Sequence, residues 1–200
     1  MDAHEKFTPI TRIKDMNPSN FEKRKYHRPA GYAATTRVHI GRLTVAALND
    51  TGASCSCITE EQVVLIVNHT MKMLAENKIK TTDRNYPIGQ IYEYEEPAQL
   101  KGAEKSGRMQ VEYAITLNVE FIADGNVDGV IKPIYFKIFK YGTCGINGLV
   151  FGWPTLDHPA RRGEEGLGWI NRLDGAEYSA LGVTLPRLDD HRKQTYQSSD

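Results

Sequence analysis

Apolar and polar residues alternate along two stretches of the chain, one near residue 40 and one near residue 115. In the first, Val38 and Ile40 precede Gly41-Arg42, and the alternation resumes over residues 43–48. Two strands joined by a two-residue loop with glycine first are typical of a β-hairpin with a type II′ turn. We therefore predict a hairpin whose second strand ends in the polar segment 49–54.

The longest alternating stretch covers residues 111–121, where apolar side chains occupy every second position. This pattern predicts one long, half-buried strand. Residues 99–101 are predicted to form the other arm of a hairpin with it, and residues 102–107 its tip. Two further apolar runs, at 131–139 and 149–151, predict additional strands.

One segment has helical spacing instead. Thr59-Glu60-Glu61-Gln62 matches a capping box, in which the threonine and glutamine side chains satisfy free backbone amides. We predict an amphipathic helix from Glu60 to about Asn77. Its predicted apolar face comprises Val63, Val64, Ile66, Val67, Thr70, Met71 and Leu74, with Met71 and Met73 filling the core. Residues 78–98 are expected to be a long surface connection with a short strand at 88–94. The class predicted is mainly β.

The composition limits the number of domains and the kinds of partner that the chain can have. The chain has 200 residues, of which 40% are hydrophobic, enough for one core with extensions. We predict a polar arm at 1–34, a domain at 35–188 with an insertion at about 158–175, and a tail at 189–200. Twenty-five basic and 25 acidic residues give no net charge, which argues against a generally basic nucleic-acid binder. The basic cluster within residues 21–28 is interpreted as a solvated stretch, with contact to nucleic acid as the alternative.

Three cysteines, Cys55, Cys57 and Cys144, are too few for a disulfide scaffold, so a reducing, cytoplasmic environment is expected. No apolar run is long enough to cross a membrane, and no membrane partner is expected. The cysteines and histidines have no metal-ligand spacing, so we interpret Cys55 and Cys57 as small packing residues. Residues 142–148 are rich in glycine but lack the lysine of a phosphate-binding loop. We therefore expect no metal and no cofactor.

The tripeptide Asp50-Thr51-Gly52 is the main candidate for chemistry. By itself it is equally typical of a turn, because aspartate, threonine and glycine all favour turns. Its context is more specific, since it ends an apolar strand and precedes a helix cap. A second glycine-closed apolar run, at 149–152, follows after another long region of predicted sheet.

Four segments together resemble, in the same order, the retroviral-type or retropepsin-like aspartic proteases. The resemblance covers residues 37–188, roughly. The segments are Ala47-Leu48-Asn49-Asp50-Thr51-Gly52-Ala53-Ser54, the hairpin at 99–111, Leu149-Val150-Phe151-Gly152, and Leu181-Gly182-Val183-Thr184-Leu185. The last one is similar to the terminal strand that builds the dimer sheet in that family.

The resemblance implies a retropepsin-like acid-protease half-barrel with one longer helix after the active-site loop. It implies Asp50 as the catalytic residue, supported by Thr51, Gly52 and Ala53. Gly52 would bring its amide to the carboxylate, and Thr51 would anchor the loop through its hydroxyl. The flap would include Gly102, Ala103, Lys105 and Gly107, and the residues packed behind the loop would be Leu149, Val150, Phe151 and Gly152.

Peptide hydrolysis by carboxylates requires two of them sharing one proton, so that one accepts a proton from water and the other supports the carbonyl oxygen. This chain has one such tripeptide, and the second aspartate must come from a second copy. We therefore expect an obligate homodimer that cleaves a peptide or polyprotein, with a retroelement or a cellular relative as its origin. The alternative is a non-catalytic dimerisation or peptide-binding module on the same fold.

The sequence departs from the family at four places. Asn49 stands where an apolar residue usually precedes the aspartate. Trp153-Pro154 replaces an arginine and a small polar residue, so the family's ion pair near the dimer interface does not transfer. The flap tip at 103–106 is charged, and residues 158–175 are an insertion that we predict to be a solvated loop.

Overall fold

The computed structural model describes residues 35–101, 108–123, 126, 128–139, 148–172 and 175–186. These all belong to one compact unit, Tyr32–Asp200. The predicted arm at 1–34, the basic cluster at 21–28, the flap tip at 102–107 and the tail at 189–200 lie outside the described residues. No helix in the described ranges is long and apolar enough to span a bilayer.

The described chain is mainly β, as predicted. Its strands are β1 (Thr35–Ile40), β2 (Leu43–Asn49), β3 (Cys57–Thr59), β4 (Ile88–Lys101), β5 (Arg108–Phe121), β6 (Val130–Phe139), β7 (Leu149–Phe151), β8 (Trp169–Asn171), β9 (Gly175–Tyr178) and β10 (Val183–Pro186). Its helices are α1 (Glu60–Ala75), α2 (Trp153–Leu156) and α3 (Pro159–Arg162), and a 3₁₀ turn covers Gly163–Glu165.

Seven strands form one sheet in the order β1-β2-β7-β3-β6-β5-β4, and a pairing between β1 and β5 closes six of them into a ring. That closing pairing joins His39 to Glu120 and Ile40 to Val119. Strand β4 stays outside the ring and pairs with β5 alone in the described residues. A closed ring needs no protection for the strand edges that it joins.

The predicted hairpin at the start of the domain is confirmed. Strands β1 and β2 pair in continuous antiparallel register from Thr35↔Leu48 to Ile40↔Leu43. Gly41 has a φ of 60°, whereas Arg42 does not adopt a positive φ. A positive φ at the first central position alone is the pattern of a type II′ turn.

Helix α1 is confirmed, but its buried face differs from the predicted one. The Thr59 hydroxyl accepts a 3.3 Å hydrogen bond from the Gln62 amide, as a capping box requires. Gln62, Ile66, Thr70 and Met73 are the buried positions, whereas Met71 is 62% exposed. The prediction that Met71 fills the core is therefore wrong. The reason is that the helix turns its 62–66–70–73 stripe toward the ring, a rotation that the many apolar residues of α1 do not specify.

The sheet beyond the helix is longer than predicted. Strand β4 starts at Ile88 and continues to Lys101, so the surface connection is confined to the residues before it. Strand β5 pairs with β4 from Leu117 to Arg108, which confirms the hairpin arms, with register shifts in the middle of β4. On the other side, β5 pairs with β6 only from Tyr113 onward. The last residues of β4 and the first of β5 therefore form a two-stranded ribbon that extends past the ring.

The insertion is a folded element and not simply a solvated loop. Its charged residues Arg161, Arg162, Glu164 and Glu165 are exposed as expected, but Leu167 is buried in the main core. Strands β8, β9 and β10 form a separate three-stranded antiparallel sheet. The predicted terminal strand thus pairs with β9 of its own chain. Its expected role in a dimer sheet stays a prediction.

The main core fills the ring. Phe121, Phe136, Phe151 and Tyr178 pack there with ring centroids 4.9–6.1 Å apart. All four are fully buried. Aromatic side chains of this size contribute much of the hydrophobic stabilisation of a small domain. Because Phe151 belongs to β7 and Tyr178 to β9, the same cluster joins β7 to the C-terminal sheet.

Candidate active site

Asp50 follows the last residue of β2 at the point where that strand meets β7. The two strands run parallel, with Asn49 opposite Phe151. The Asp50 amide donates a 3.0 Å hydrogen bond to the Phe151 carbonyl, which extends the pairing by one residue. The carboxylate is therefore fixed to the sheet at its backbone while its side chain remains partly accessible.

A tight turn brings backbone amides back to this aspartate. The Gly52 amide donates a 2.8 Å hydrogen bond to Asp50 Oδ1, and the Ala53 amide donates a 3.2 Å bond to the Asp50 carbonyl. A β-carbon on Gly52 would lie 3.2 Å from Oδ1, closer than most such contacts. The small residue thus gives the carboxylate a charge-assisted hydrogen bond that orients it.

Thr51 and Ala53 occupy the two other predicted support positions. Thr51 is exposed, and within the described residues of this single chain its hydroxyl has no hydrogen-bond partner. Its predicted anchoring role stays a prediction for an assembled dimer. The Ala53 carbonyl accepts a 2.8 Å hydrogen bond from the Trp153 amide, so this residue does tie the loop to the segment after β7.

Two hydroxyl residues that the sequence reasoning missed hold the loop from behind. Ser56 Oγ accepts a 3.0 Å hydrogen bond from the Gly152 amide and lies 2.6 Å from Thr155 Oγ1. Both side chains are buried. A β-carbon on Gly152 would lie 2.3 Å from the Cys55 carbonyl oxygen, so only glycine allows this approach. The signal in the sequence was a serine and a threonine next to otherwise apolar, buried segments.

Asn49 does not weaken the packing behind the loop, because its side chain has polar partners. Tyr178 donates a 2.9 Å hydrogen bond from its hydroxyl to Asn49 Oδ1. The Thr36 hydroxyl lies 2.9 Å from the Tyr178 oxygen, and Asn49 Nδ2 donates to Thr36 Oγ1 at 3.5 Å. The Tyr178 hydroxyl has one proton and donates it to Asn49, so the Thr36 hydroxyl donates to Tyr178 in turn. The three side chains form a closed cycle of hydrogen bonds. Burial raises the pKa of Tyr178 to about 12.

An apolar wall lies on the same side of the sheet as the Asp50 side chain. Leu48 is two positions before Asp50 and pairs with Val150, which in turn pairs with Cys57. Residues that face each other across a sheet project from one face. The wall comprises the buried residues Cys57, Val111, Phe139 and Val150, with Leu48, Ala53, Tyr94 and Ala98 packed against them.

The predicted packing residues behind the loop divide between two surfaces. Leu149 and Phe151 point into the main core, while Val150 belongs to the apolar wall. Gly152 is the contact point with the 53–56 loop. All four are buried, as expected for a strand covered on both faces.

A buried carboxylate, Asp157, lies at the end of α2 and is paired with two arginines. The Asp157 side chain is only 4% exposed, and its Oδ1 accepts hydrogen bonds from Arg161 Nε at 2.7 Å and from the His158 amide at 2.8 Å. Arg162 Nε lies 3.4 Å from Oδ2. Arg161 holds the pKa of Asp157 below its ordinary value, and its guanidinium also lies 5.9 Å from the Trp153 ring centre. This charge cluster ties α3 to the end of α2, the short helix that begins directly after Gly152.

The predicted flap residues Gly102, Ala103, Lys105 and Gly107 lie outside the described residues, so the structure describes only the strands that lead to them. Among the described ranges, no three His, Cys, Asp or Glu side chains are grouped closely enough to bind a metal ion. Cys57 is buried in the apolar wall. The chemistry that this arrangement can support is carboxylate chemistry at Asp50.

No protein-family model matches this chain, and no curated protein sequence matches it. Solved structures with a similar chain course include the retroviral protease-like domain of Ddi1 from Leishmania major. That similarity has 15% sequence identity and a TM-score of 0.44, and it covers 78% of this chain and 94% of the other. The EIAV protease complexed with the inhibitor HBY-793 is similar at 16% identity with a TM-score of 0.35, over 66% of this chain and 91% of that one.

Proposed function

We propose that this protein is a retropepsin-like aspartic endopeptidase that acts as a homodimer. The observation that carries the proposal is the presentation of Asp50. Its carboxylate accepts a 2.8 Å hydrogen bond from the Gly52 amide at the end of a sheet strand, beside an apolar wall. A partly accessible carboxylate held in one orientation next to a surface for apolar side chains is suited to activating water against a peptide.

One carboxylate is half of the required pair. Two aspartates close together share one proton, so that the ionised one accepts a proton from water while the protonated one supports the carbonyl oxygen. In the proposed dimer Asp50 of each subunit meets its symmetry mate on the two-fold axis. The substrate is an extended peptide or polyprotein segment, and retroelement origin is part of the same proposal.

The test is cleavage of a peptide library by the wild type and by Asp50→Asn. We expect the wild type to cleave and the variant to lose at least about 10³-fold in kcat/KM. The asparagine side-chain amide cannot accept the proton from water or share a proton with the second aspartate. Asp83→Asn, at an exposed turn, is the matched control and should cleave normally. Normal cleavage by Asp50→Asn would remove Asp50 from the mechanism.

A mixing experiment tests the shared site. Equal amounts of wild type and Asp50→Asn are mixed. The dimers are dissociated by dilution and reassembled by concentration. If each active site needs one Asp50 from each subunit, activity per total subunit falls to about one quarter, since one dimer in four is wild type. Retention of one half would show that each subunit acts alone.

The alternative function is a peptide-binding module without catalysis. One observation favours it: β4 is the end strand of the sheet, so its outer edge is open to an added strand within the described residues. The same library distinguishes the two functions. Peptides that bind with equal affinity to wild type and Asp50→Asn, with no product formed from ~pH 3 to ~pH 7, would favour the module.

A further inference from the structure

Helix α1 has a second apolar stripe, on a side other than the one that packs against the ring. Val64, Val67 and Met71 follow the i, i+3, i+7 spacing that places side chains on one face of a helix. Val64 is 51% exposed and Met71 is 62% exposed, and Val67 between them is half-buried. We name these three residues the outer stripe. Apolar side chains that adjoin one another on a surface, rather than lying singly, are typical of contact sites.

The two ends of α1 differ in charge. Glu60-Glu61 is exposed in the first turn, and neither glutamate forms an ion pair with the described residues. At the other end, Glu76 pairs with Lys72 at 4.0 Å and with Lys78 at 3.1 Å. Arg42 adds a third cation there, since its guanidinium donates a 3.5 Å hydrogen bond to the Lys78 carbonyl. The start of the helix is therefore acidic, and its end has an excess of positive charge.

These features complement each other when two copies of α1 lie antiparallel. The midpoint of Val64 and Met71 lies within one residue of Val67. The midpoint of Glu61 and Lys72 lies there too, and about three helical turns separate these two charges, so both lie on one flank of the outer stripe. A two-fold axis beside Val67 therefore places Val64 on Met71 of the partner subunit. The same axis places Glu61 opposite Lys72 of the partner subunit.

We infer that the outer stripe of α1 is a contact surface for a second copy of this chain, with the two helices antiparallel across a two-fold axis at Val67. The contact uses none of the residues of the Asp50 turn and does not depend on peptidase activity. A chain with two different two-fold contacts assembles beyond the dimer, into a closed tetramer or an open chain of subunits. The outer stripe would thus join the dimers proposed above to one another.

The test exchanges the charges at the ends of α1 in the full chain. Glu60→Lys/Glu61→Lys and Lys72→Glu/Lys78→Glu each bring like charges together in a pair of identical subunits. Each variant alone should self-associate at least about tenfold more weakly than the wild type, because attraction becomes repulsion at both ends. An equimolar mixture of the two should recover the wild-type affinity to within about threefold, since unlike charges meet again. Sedimentation velocity over a concentration series measures both effects.

A second variant tests the apolar part of the contact. Val64→Ser/Met71→Gln should weaken the same association step at low salt and at about 0.5 M salt, whereas the effect of charge exchange should shrink at the higher salt. Glu164→Lys/Glu165→Lys, which reverses two exposed charges outside α1, is the control for charge and should associate normally. Ile91→Ser is the control for apolar exposure, because Ile91 is as exposed as Val64.

The outcomes separate this contact from the proposed function. If the contact exists, the single charge variants stop at the dimer where the Asp50 contact forms, and at the monomer where it does not. Recovery in the mixture supports the outer stripe even if no peptide is cleaved. Equal masses for wild type and variants at every concentration, or a mixture that associates no better than its components, would refute it and leave the peptidase proposal intact. If circular dichroism shows that a charge variant is unfolded, unchanged association of Val64→Ser/Met71→Gln refutes the contact instead.

Discussion

The hydroxyl of Tyr178 donates a 2.9 Å hydrogen bond to the side-chain oxygen of Asn49, a residue 129 positions earlier in the chain. Asn49 directly precedes Asp50, and Tyr178 belongs to the C-terminal sheet. Both side chains are buried, so the bond forms away from water. The strand that presents the candidate catalytic residue is therefore secured by an element at the far end of the domain.

Replacing Tyr178 with phenylalanine should destabilise the fold. The variant keeps the ring but leaves the Asn49 oxygen and the Thr36 hydroxyl without their partner in a buried site, which costs about 1–3 kcal/mol. Urea unfolding followed by tryptophan fluorescence measures the change. Tyr113→Phe, at an exposed position, is the control and should change the free energy of unfolding by less than about 0.5 kcal/mol.

The same residue should make the protein sensitive to alkali. Burial raises the pKa of Tyr178 to about 12 in the folded state, above the value near 10 of an unfolded tyrosine. The unfolded chain therefore loses its proton first, and stability falls as pH rises from about 10 to about 12. Tyr178→Phe should lose less stability over that window than the wild type. Parallel curves for the two proteins would contradict the assignment, since all other tyrosines are shared.

Asp157 should contribute stability that depends on acid pH. Arg161 and the His158 amide lower the pKa of Asp157 below its unfolded value near 4. Its contribution is present above that value and is lost as the pH falls through the folded-state pKa. Asp157→Asn should thus have a lower urea midpoint than the wild type at pH 7, and the difference should shrink below about pH 4.

Arg161→Gln should reproduce part of this effect, because Arg161 provides the strongest contact to Asp157. Arg84→Gln, an exposed arginine elsewhere, is the matched control and should leave the midpoint unchanged at both pH values. A difference between Asp157→Asn and wild type that stays constant from pH 7 to pH 3 would show that ionisation of Asp157 is not the cause.

Gly152→Ala should disturb the active-site loop itself. The added carbon would lie 2.3 Å from the Cys55 carbonyl, so loop and strand must separate, at a cost of about 1–3 kcal/mol or more. Gly182→Ala is the control: its φ of 64° disfavours a side chain by about 1 kcal/mol, but no atom lies within 4 Å of the new carbon. If the protein is the peptidase proposed above, only Gly152→Ala should reduce cleavage beyond what the unfolded fraction explains.

Local patterns were sufficient for much of the fold. Gly41-Arg42 between alternating residues predicted the hairpin and its turn, and Thr59 with Gln62 predicted the first residue of α1. The spacing of apolar residues did not determine which side of α1 is buried, because Val64 and Met71 are as apolar as Ile66. Strand β4 was predicted too short, since its exposed tyrosines and glutamates resemble a polar connection.

The site could be predicted in part, because Asp50, Gly52 and Gly152 are recognisable from their immediate neighbours. The partners that hold them are distant in sequence. Ser56 meets Thr155 across 99 positions, and Asn49 meets Tyr178 across 129. Such pairings depend on the ring closing and on the C-terminal sheet packing against it, and no local pattern encodes them.

The ribbon formed by the ends of β4 and β5 has a mechanical consequence. From Tyr113 onward, β5 is held between β4 and β6, and its earlier described residues pair with β4 alone. Val111, at this boundary, is fully buried and fixes the root of the ribbon against the apolar wall. The apolar wall therefore supports the base of the ribbon, and any bending of the ribbon must begin beyond this base.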